Sequence, residues 1–506
     1  MMRQSLKLQS EPVLTCREAG EFEAGFFQGD EEKEWQAMQR AGRLLADAIR
    51  ADAGEIGGLG TSPRLLVLVG KGHNGGDAVI AAEILLARFP GAHADIVFLF
   101  GERSLRPLTL RAWRLYQKTG FNRIHLLHAP ESLGEAYDLV IDGIFGFQFR
   151  PPSPEGVGRW LEKINSLDAR LRAAVDLPSG MAERHAFRAD FTYATGIFKL
   201  PLLTLPNAGR LRHLGLGWRV PAGAESAMRI LTAGTLEPLT RLRDPNSDKR
   251  TFGHLGVLGG SRHYPGAILM TVRAALQSGC GLLTAFVPES LVTSYAAVVP
   301  EAMWIGWPET PDGSLAMEGV HLLRERCDRL TALVIGPGLG REAETLAFLA
   351  AELPNLKLPV VIDADALQAN IVTAGTCPRI LTPHAGEFAR IAGGLGLNEF
   401  VARHEATVVL KGPVTQVASG RSHYASLFGG PVLARGGSGD ILSGIIGSLL
   451  AQHPDDSLGA AATGVVWQGL AADALARSSG AMAVTSTQLL PFLAAVLREP
   501  RNQCEG

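Results

Sequence analysis

Short apolar runs that end in polar loops recur along the chain, and this feature constrains the fold more than any other. Each run has the length of one strand, and a segment of helical length follows. Examples are residues 65–70, 138–142, 332–335, 360–362 and 407–410. A strand covered on both faces is apolar throughout, and the loops after parallel strands gather at one sheet edge. The pattern therefore predicts an α/β protein that binds ligands at the carboxyl ends of its strands.

The length of the chain and a break in this pattern predict two domains. A chain of 506 residues is too long for one hydrophobic core. Residues 222–248 interrupt the strands with a mixture of Gly, Pro, Ser and Arg that is typical of a linker. We therefore expect one doubly wound domain at residues 1–222 and a second at residues 229–506.

The bulk composition excludes several classes of function. With 46% hydrophobic residues, 19% charged residues and a net charge of −2, the chain has no basic surface for nucleic acid or an anionic membrane. Its five cysteines form no CxxC pair, which indicates isolated thiols in a reducing compartment. The initial segment MMRQSLKLQSEPV lacks an apolar signal core, and no apolar run is long enough to span a bilayer. A cytoplasmic location is expected, and a homo-oligomer is a further expectation.

A glycine-rich loop in the second half has the features of an anion-binding site. The segment Gly436-Gly437-Ser438-Gly439-Asp440 precedes an apolar run at 441–450 of helical length. Backbone N–H groups in such a loop, together with the helix dipole, can hold an anion. Asp440 could take a proton from a hydroxyl that attacks a phosphoryl group. The alternative is a glycine-rich turn in which Asp440 is an ordinary helix N-cap.

The first half has a different glycine-rich loop after the strand at 65–70. The loop Lys71-Gly72-His73-Asn74-Gly75-Gly76-Asp77 fails the P-loop pattern and matches G-x-G-x-x-G only loosely. Its amide and carboxylate suit a hard cation as well as a phosphate. Two later strands end in Asp142 and Asp176. Three acidic or amide side chains at strand ends in one domain predict a site rather than three separate turns.

The second half resembles the ADP/ATP-dependent NAD(P)H-hydrate dehydratases, which have a ribokinase-like fold. The loop of residues 436–440 alone is shared with thiazole and pyrimidine kinases, but the other motifs are more specific. The motifs are Gly259-Gly260-Ser261, Tyr264-Pro265-Gly266-Ala267, Gly336-Pro337-Gly338-Leu339-Gly340, Asp363-Ala364-Asp365-Ala366-Leu367, Thr382-Pro383-His384-Ala385-Gly386-Glu387-Phe388 and Leu410-Lys411-Gly412.

The first half resembles the NAD(P)H-hydrate epimerases, which implies a Rossmann-like fold. The matching residues are Asn74-Gly75-Gly76-Asp77, Asp142 before Gly146, Asp176-Leu177-Pro178-Ser179-Gly180, Asp190, Thr192 and Lys199. The chain departs from the epimerase pattern at His73, Ala78 and Phe147. In the second half, Gln468 stands where a histidine is common, on a helix expected to lie away from the core motifs.

The resemblance of the second half implies roles for its motif residues. Asp440 is the implied catalytic base, and the amides of Gly436, Gly437, Ser438 and Gly439 form the anion hole. Lys411, Gly412 and Thr415 would contact the nucleotide, which is ADP or possibly ATP, with Mg²⁺. Ala267, Gly338, His384, Gly386, Glu387 and Arg390 would lie along the hydrated cofactor. From the residues alone, His384 could instead cap its loop, Glu387 could satisfy a helix dipole, and Asp363 and Asp365 could hold Mg²⁺ or only shape a turn.

The resemblance of the first half implies a potassium site and an epimerase site. Asn74, Asp142 and Ser179 would hold K⁺, and Asp176 would be the catalytic acid–base group. The substrate would lie against His73, Asn74, Gly75, Gly76, Asp77, Gly146 and Arg150. The alternative for this half is a nucleotide-binding or scaffold module that has lost activity.

The fusion of the two halves implies repair of hydrated NADH and NADPH. The first half would interconvert the R and S hydrates. The second would phosphorylate the ring hydroxyl of the S form, because hydroxide is a poor leaving group. Elimination of the phosphate would then regenerate NAD(P)H. A small-alcohol kinase of the hydroxyethylthiazole or hydroxymethylpyrimidine type, fused to a nucleotide-binding module, is the alternative. A non-enzymatic binding protein conflicts with the presence of both the base and the anion hole.

Overall fold

Two compact units make up the part of the chain that the computed structural model describes, residues 5–218 and 228–498 without the side chains of 119–121. The N-terminal unit contains residues 11–218 and 476–480. The C-terminal unit contains residues 5–10, 228–475 and 481–498. Each unit is organised around its own sheet.

The N-terminal unit is built on a parallel sheet. Its strands are β1 (Ser10–Leu14), β2 (Arg64–Val69), β3 (His93–Phe98), β4 (Ile124–Leu127), β5 (Ala136–Tyr137), β6 (Leu139–Gly143), β7 (Asp168–Ala169), β8 (Arg172–Val175), β9 (Phe191–Thr195), β10 (Phe198–Lys199) and β11 (Arg210–Leu214). The main sheet has the order β11-β9-β8-β6-β2-β3-β4, and every neighbouring pair is parallel. Strand β1 pairs in parallel with β10.

Both faces of this sheet are covered. The helices are α1 (Cys16–Phe27), α2 (Glu31–Asp52), α3 (His73–Arg88), α4 (Pro107–Gly120) and α5 (Val157–Asn165). Leu65, Val67 and Val69 of β2 pack into one apolar core, and the alternate residues Leu66 and Leu68 pack into another. Because successive side chains of a strand point to opposite faces, the continuous apolar run of β2 serves both cores. The doubly wound prediction is confirmed for this unit.

The C-terminal unit is built on a mostly parallel sheet. Its strands are β12 (Arg229–Leu231), β13 (His254–Leu258), β14 (Leu282–Pro288), β15 (Met303–Trp307), β16 (Ala332–Ile335), β17 (Val360–Ile362), β18 (Arg379–Leu381), β19 (Thr407–Leu410), β20 (Thr415–Ser419) and β21 (Ser422–Ser426). They follow the order β12-β21-β20-β19-β18-β17-β16-β13-β14-β15. Strand β20 is antiparallel to both of its neighbours.

Helices accompany these strands in the order that an α/β fold requires. They are α6 (Pro265–Gln277), α7 (Val292–Val298), α8 (Val320–Arg324), α9 (Ala343–Glu352), α10 (Ala369–Val372), α11 (Ala385–Ala392), α12 (Leu397–His404), α13 (Ser438–Gln452), α14 (Ser457–Ser479) and α15 (Leu490–Arg498). Helix α13 is buried along most of its length, since Ile441 to Ala451 are all inaccessible to solvent. Its apolar run is therefore a core element, and its amino end carries the glycine-rich loop.

Two helices begin earlier than the sequence predicts. Helix α3 begins at His73, inside the segment 71–77 that the sequence predicts as a loop, so Asn74 and Asp77 lie near its start. Helix α13 begins at Ser438, and its N-cap is Gly437 with a φ of 91°. The alternative in which Asp440 is the N-cap is therefore wrong, because Asp440 is already inside the helix.

The predicted linker is wrong in part. Residues 229–231 form β12, which pairs with β21, and a 3₁₀ helix follows at Ala233–Thr240. The hairpin of β20 and β21 was also missed. Its sequences, TQVAS and SHYAS, contain only a pair of adjacent apolar residues each, flanked by polar residues, so no strand-length apolar run marks them.

No helix within the described ranges is both long and apolar enough to cross a bilayer.

Candidate active sites

The first site surrounds Asp176, directly after strand β8. Its backbone has a φ of 65°, and its side chain is 1% exposed. The Lys199 ammonium donates to one carboxylate oxygen, and the Phe147 backbone N–H donates to the other at 3.1 Å. Both oxygens are therefore held, and the ion pair supplies the positive charge that a buried carboxylate requires.

Lys199 is itself fixed from several sides. It lies in β10 opposite Leu14 of β1, and it is only 1% exposed. Its ammonium also donates to the Thr195 carbonyl at 2.8 Å and lies 4.9 Å from the centre of the Phe147 ring. Phe147, one of the departures from the epimerase pattern, thus contacts both members of the ion pair.

The three residues predicted to hold K⁺ lie together behind Asp176. The Ser179 hydroxyl and N–H each donate to the Asp142 carboxylate at 2.7 Å. The Asn74 amide donates to the carbonyls of Phe145 and Val175 at 3.1 and 2.8 Å. The Phe145 N–H in turn donates to the Ser179 hydroxyl at 3.0 Å.

The charge of Asp142 lacks a cationic partner. Its side chain is fully buried, and within the described ranges no Lys, Arg or His forms an ion pair with it. Burial raises the pKa of Asp142 to about 6, although the hydrogen bonds from Ser179 oppose the rise. A Cβ at position 146 would lie 2.6 Å from Asn74 Oδ1, so the amide needs a glycine there. A buried carboxylate among amide and carbonyl oxygens fits a hard cation.

A cavity of about 360 Å³ opens beside Asp176. Four carboxylates line it from different elements, Glu23 on α1, Glu34 on α2, Asp77 on α3 and Asp176. Its other walls combine aromatic rings with cations and include Phe27, Lys71, Phe100, Arg106, Phe145, Phe149 and Trp218. The cavity therefore offers flat apolar surface, positive charge and acidic groups together, as a ring-bearing anionic ligand requires.

The residues predicted to bind substrate in this unit are divided around the cavity. His73, Asn74, Asp77 and Gly146 line it, whereas Gly75 and Gly76 pack behind the first turn of α3. The Arg150 guanidinium donates to the carbonyls of Phe147 and Phe149, at 3.1 and 2.9 Å. Burial lowers the pKa of His73, despite the Glu34 carboxylate 3.5 Å away.

Sequence reasoning missed Glu23 in this cavity. Burial raises the pKa of Glu23 to about 7, and Asp176 and Glu34 add to the rise while Lys199 opposes it. Burial also raises the pKa of Asp77 well above its ordinary range. No sequence signal separated Glu23 from the other acids of the helical segment, because the side of α1 that faces the cavity depends on packing.

The second site surrounds Asp440 in the first turn of α13. Its carboxyl is half-buried, and burial raises its pKa to about 6. The Asp363 carboxylate adds to the rise, and the Lys411 ammonium opposes it. Lys411 Nζ lies 3.3 Å from Asp363 Oδ1, and a Cβ at Gly439 would lie 3.3 Å from the same nitrogen. Lysine, glycine-rich turn and aspartate are therefore together at the amino end of α13.

Neighbouring strands bring further predicted residues to this site. Asp363 follows β17, and the Thr382 hydroxyl after β18 donates to it at 2.7 Å. His384 and Lys411 form a bridge between the next two loops. On the other side, the Thr271 hydroxyl of α6 donates to the Asp440 carbonyl at 3.0 Å and to the Ala267 carbonyl at 3.2 Å. A Cβ at Gly338 would lie 3.0 Å from that of Ala267, so these two also pack together.

Comparison with known proteins extends these observations along the chain. Residues 255–494 match the family model for NAD(P)H-hydrate dehydratase, and residues 34–200 match the model for the YjeF-related protein N-terminus. The bifunctional NAD(P)H-hydrate repair enzyme of Moorella thermoacetica is 33% identical over 502 residues, which cover 92% of this chain and 93% of that protein. The enzyme of the same name from Gloeobacter violaceus is 35% identical, with 90% and 93% covered.

This chain belongs to the family of bifunctional NAD(P)H-hydrate repair enzymes. The resemblance predicted for both halves is confirmed. Matches over about nine-tenths of the chain do not favour the alternative of a small-alcohol kinase fused to a binding module. Among solved structures, a Bacillus subtilis ADP/ATP-dependent NAD(P)H-hydrate dehydratase, co-crystallized with ATP/Mg²⁺, is 29% identical at a TM-score of 0.45, covering 52% of this chain and 96% of its own.

In this repair enzyme, the loop after β18 is capped as one of the sequence alternatives proposes. His384 is the N-cap of α11, and its Nδ1 accepts from the N–H groups of Gly386 and Glu387 at 3.0 and 3.2 Å. The Glu387 carboxylate accepts from the His384 N–H at 2.8 Å. Arg390 is exposed, and its guanidinium lies 3.4 Å from the Leu367 carbonyl. Substrate contact by these residues stays a prediction.

The carboxylates expected to hold Mg²⁺ have partners of their own. Asp363 accepts from Thr382 and Lys411, and Asp365 accepts from the Arg341 guanidinium at 3.0 Å and the Gly340 N–H at 3.2 Å. Within residues 5–218 and 228–498, no group of three His, Cys, Asp or Glu side chains is arranged to hold a metal ion. These hydrogen bonds fit the alternative in which the two aspartates shape their turns, and binding of Mg²⁺ by them through water stays a prediction.

The position of Gln468 corrects a sequence prediction. Its side chain is only 5% exposed, and its amide donates to the Ser438 carbonyl at 2.6 Å. The helix that carries it, α14, therefore supports the first turn of α13 and does not lie away from the core motifs. By contrast, Thr415 lies at the start of β20, where its hydroxyl is 3.4 Å from the Gly412 carbonyl.

Proposed function

We propose that the C-terminal unit dehydrates the S hydrates of NADH and NADPH by phosphorylating them, and that the N-terminal unit epimerises the R and S hydrates. The observation that supports this most is the group of Asp440, Lys411 and the glycine-rich turn at the amino end of α13. It combines a base, a cation and backbone donors at one point, as phosphoryl transfer to a hydroxyl requires.

The chemistry of the substrate explains why a kinase-type site would remove water. Dihydronicotinamide is an enamine, so protonation of its β-carbon lets water add to the carbon next to the ring nitrogen. The hydrate therefore carries a hydroxyl on that carbon. Hydroxide leaves poorly, whereas a phosphate ester leaves readily.

Each step of the proposed dehydration can be assigned a bond. The Asp440 carboxylate takes the hydroxyl proton as the oxygen attacks the terminal phosphorus of the nucleotide, and the bond to the bridging oxygen breaks. The ring carbon–oxygen bond of this phosphate ester then breaks with loss of phosphate, and the neighbouring carbon loses a proton, which restores the ring double bond. A pKa near 6 leaves Asp440 ionised at pH 7 and makes it a better base than an ordinary aspartate.

The nucleotide would be ADP or ATP, contacted by Lys411, Gly412, Thr415 and the amides of residues 436–439. With ADP the products would be AMP and phosphate. Mg²⁺ commonly binds through substrate phosphates rather than through a protein cage. Because Asp363 and Asp365 already have partners, Mg²⁺ would arrive bound to the phosphates of the nucleotide.

In the N-terminal unit, K⁺ would be held by Asn74, Asp142 and Ser179. Its charge would balance the buried Asp142 carboxylate, which lacks a cationic partner in the described part of the chain. Asp176, oriented by Lys199 and the Phe147 N–H, would be an acid–base group for the substrate in the adjoining cavity.

One assay tests the dehydration half of the proposal, and the same assay on an epimer-pure substrate reports on the epimerisation half separately. The protein is incubated with hydrated NADH and either ADP or ATP, and recovery of the reduced-nicotinamide absorbance is followed together with the nucleotide product. We expect recovery of absorbance matched by release of AMP or ADP. Absence of recovery with either donor, combined with phosphorylation of a small alcohol, would contradict the proposal and favour the kinase alternative.

A further inference from the structure

We propose that Glu23 of helix α1 is a second catalytic acid–base group of the epimerase site and works together with Asp176. The inference rests on the proposed epimerase function of the N-terminal unit. It extends that function to a residue outside the matched segment, which begins at residue 34.

Helix α1 places Glu23 at the wall of the cavity. A capping box between Thr15 and Glu18 fixes the start of α1. At its other end, Phe26 and Phe27 pack against Trp218, with ring centres 5.3 and 5.5 Å apart. Helix α1 is therefore held at both ends, and Glu23 between them lines the cavity that Asp176 also lines.

Among the described residues, the Glu23 carboxyl has no bonding partner, unlike Asp176 and Glu34 of the same cavity. Asp176 is held by Lys199 and Phe147, and Glu34 lies 3.5 Å from His73. Within residues 5–218, by contrast, the Glu23 carboxyl makes neither a hydrogen bond nor an ion pair. A half-buried carboxyl without a partner has no structural role in its surroundings, so it is available to a ligand.

Several charged side chains surround Glu23. The groups that act on it are Asp176, Glu34, Asp77 and Lys199. Burial and the surrounding carboxylates raise the pKa of Glu23 to about 7, despite the opposing effect of Lys199. Near neutral pH the side chain is thus present in both its protonated and ionised forms, as acid–base catalysis requires.

The reaction itself needs two such groups, because the two epimers carry the hydroxyl on opposite faces of the ring. Asp176 takes the hydroxyl proton of the R hydrate. A carbon–oxygen double bond forms, the carbon–nitrogen bond breaks, and its electron pair passes to the ring nitrogen and its conjugated carboxamide. After rotation of the aldehyde, the nitrogen attacks the other face and re-forms the bond. The oxygen then takes a proton from Glu23, and solvent exchange restores both carboxyls.

The test compares Glu23→Gln with Glu21→Gln in the full-length protein. Glu21 lies on the same helix, is exposed and pairs only with Arg17 at 3.6 Å among the described charges. Interconversion of the separated R and S hydrates is followed by chromatography without nucleotide. We expect Glu23→Gln to lower kcat for epimerisation by about 10²-fold or more with little change in KM, and Glu21→Gln to match wild type.

Two further readouts separate catalysis from structure. Wild-type kcat/KM for epimerisation should fall as the pH rises through about 7, because Glu23 loses its proton there, and Glu23→Gln should lose this limb. ADP- or ATP-dependent dehydration of the S hydrate should stay at the wild-type rate in both variants, which shows that the C-terminal unit is intact, and the unchanged KM for epimerisation shows that the N-terminal unit is folded.

Three results would overturn the inference. The first is wild-type epimerisation by Glu23→Gln, and the second is an equal loss in Glu21→Gln. The third is a loss expressed only in KM with the pH limb intact. If the wild-type protein itself does not interconvert the hydrates, the proposed function of the N-terminal unit fails, and the inference about Glu23 fails with it.

Discussion

The central aspartates of the two sites, Asp176 and Asp440, lie in different electrostatic surroundings. Asp176 is 1% exposed, and both of its oxygens are held, one by Lys199 and one by the Phe147 N–H. Asp440 is half-buried beside another carboxylate, Asp363, and the Lys411 ammonium is shared with that neighbour. One aspartate is neutralised inside the protein, and the other is left partly uncompensated.

This difference explains what each carboxylate can contribute. A paired, buried carboxylate is strongly oriented, but its stability depends on its cation. A carboxylate with a raised pKa is a better proton acceptor, at a cost to the folded state. The proposed dehydratase site, at Asp440, therefore suits a strong base that takes a proton in one direction. The proposed epimerase site, at Asp176, suits oriented groups that exchange protons.

The largest expected effect tests the base in the second site. Asp440→Asn should lower nucleotide-dependent dehydration by about 10³-fold, because the hydroxyl loses its proton acceptor, while nucleotide affinity stays near wild type. In the wild-type enzyme, kcat should fall as the pH drops through about 6, where Asp440 becomes protonated. Dehydration by Asp440→Asn at the wild-type rate would remove this residue from the mechanism.

The next effect concerns stability in the first site. Lys199→Met leaves Asp176 buried without its cation, so we expect the free energy of unfolding of the N-terminal unit to fall by about 3 kcal/mol. The double variant Asp176→Asn/Lys199→Met should recover part of the loss. Arg17→Met is the matched control, since the Arg17–Glu21 pair is exposed, and it should lower stability by less than about 1 kcal/mol. Equal losses of stability in Lys199→Met and in the control variant would contradict the expected difference between a buried and an exposed ion pair.

A smaller effect of opposite sign is expected at Asp440. Its pKa in the folded protein, about 6, exceeds the ordinary value of 3.8, so stability falls as the pH rises through this window. Asp440→Asn removes the charge and should raise the free energy of unfolding of the C-terminal unit at pH 7 by about 1 kcal/mol, a value reduced for solvent screening. The gain should vanish below pH 4. Denaturant unfolding at both pH values measures it, and a loss of stability at pH 7 would contradict the predicted sign.

The smallest effect tests the support behind the glycine-rich turn. Gln468→Ala removes the hydrogen bond to the Ser438 carbonyl, worth about 1 kcal/mol, so dehydration should slow about five-fold. Gln277→Ala, at the exposed end of α6, serves as the control and should match wild type. Dehydration at an unchanged rate in Gln468→Ala would show that the turn keeps its shape without this bond.

The sequence predicted the buried strands better than the mixed ones. Strand β16 is apolar throughout and β2 is apolar after Arg64, because both faces are covered, so their positions follow directly from the sequence. Strands β20 and β21 of the hairpin are mostly polar, with only a pair of adjacent apolar residues each, and β12 lies in a segment resembling a linker. These strands owe their state to pairing with neighbours, which local sequence does not encode.

The positions of site residues could be predicted only where the topology of the sheet determines them. Asp142 lies near the end of β6, and Asn74 and Ser179 follow β2 and β8 of the same parallel sheet, so their proximity follows from topology. Glu23 and Gln468 lie on helices far from the motifs in sequence, and only packing brings each to its site. Their residue types also carry no signal, since surface helices commonly bear Glu and Gln.

The measurement that tests the central claim most directly is the extent of absorbance recovery from a defined mixture of R and S hydrates of NADH with ADP or ATP. The wild-type enzyme should regenerate the whole mixture. Asp176→Asn should rapidly regenerate NADH from the S hydrate only, because epimerisation fails while dehydration continues. Asp440→Asn should regenerate almost no NADH. Complete regeneration of the mixture by Asp176→Asn at the wild-type rate would contradict the assignment of epimerisation to the N-terminal site.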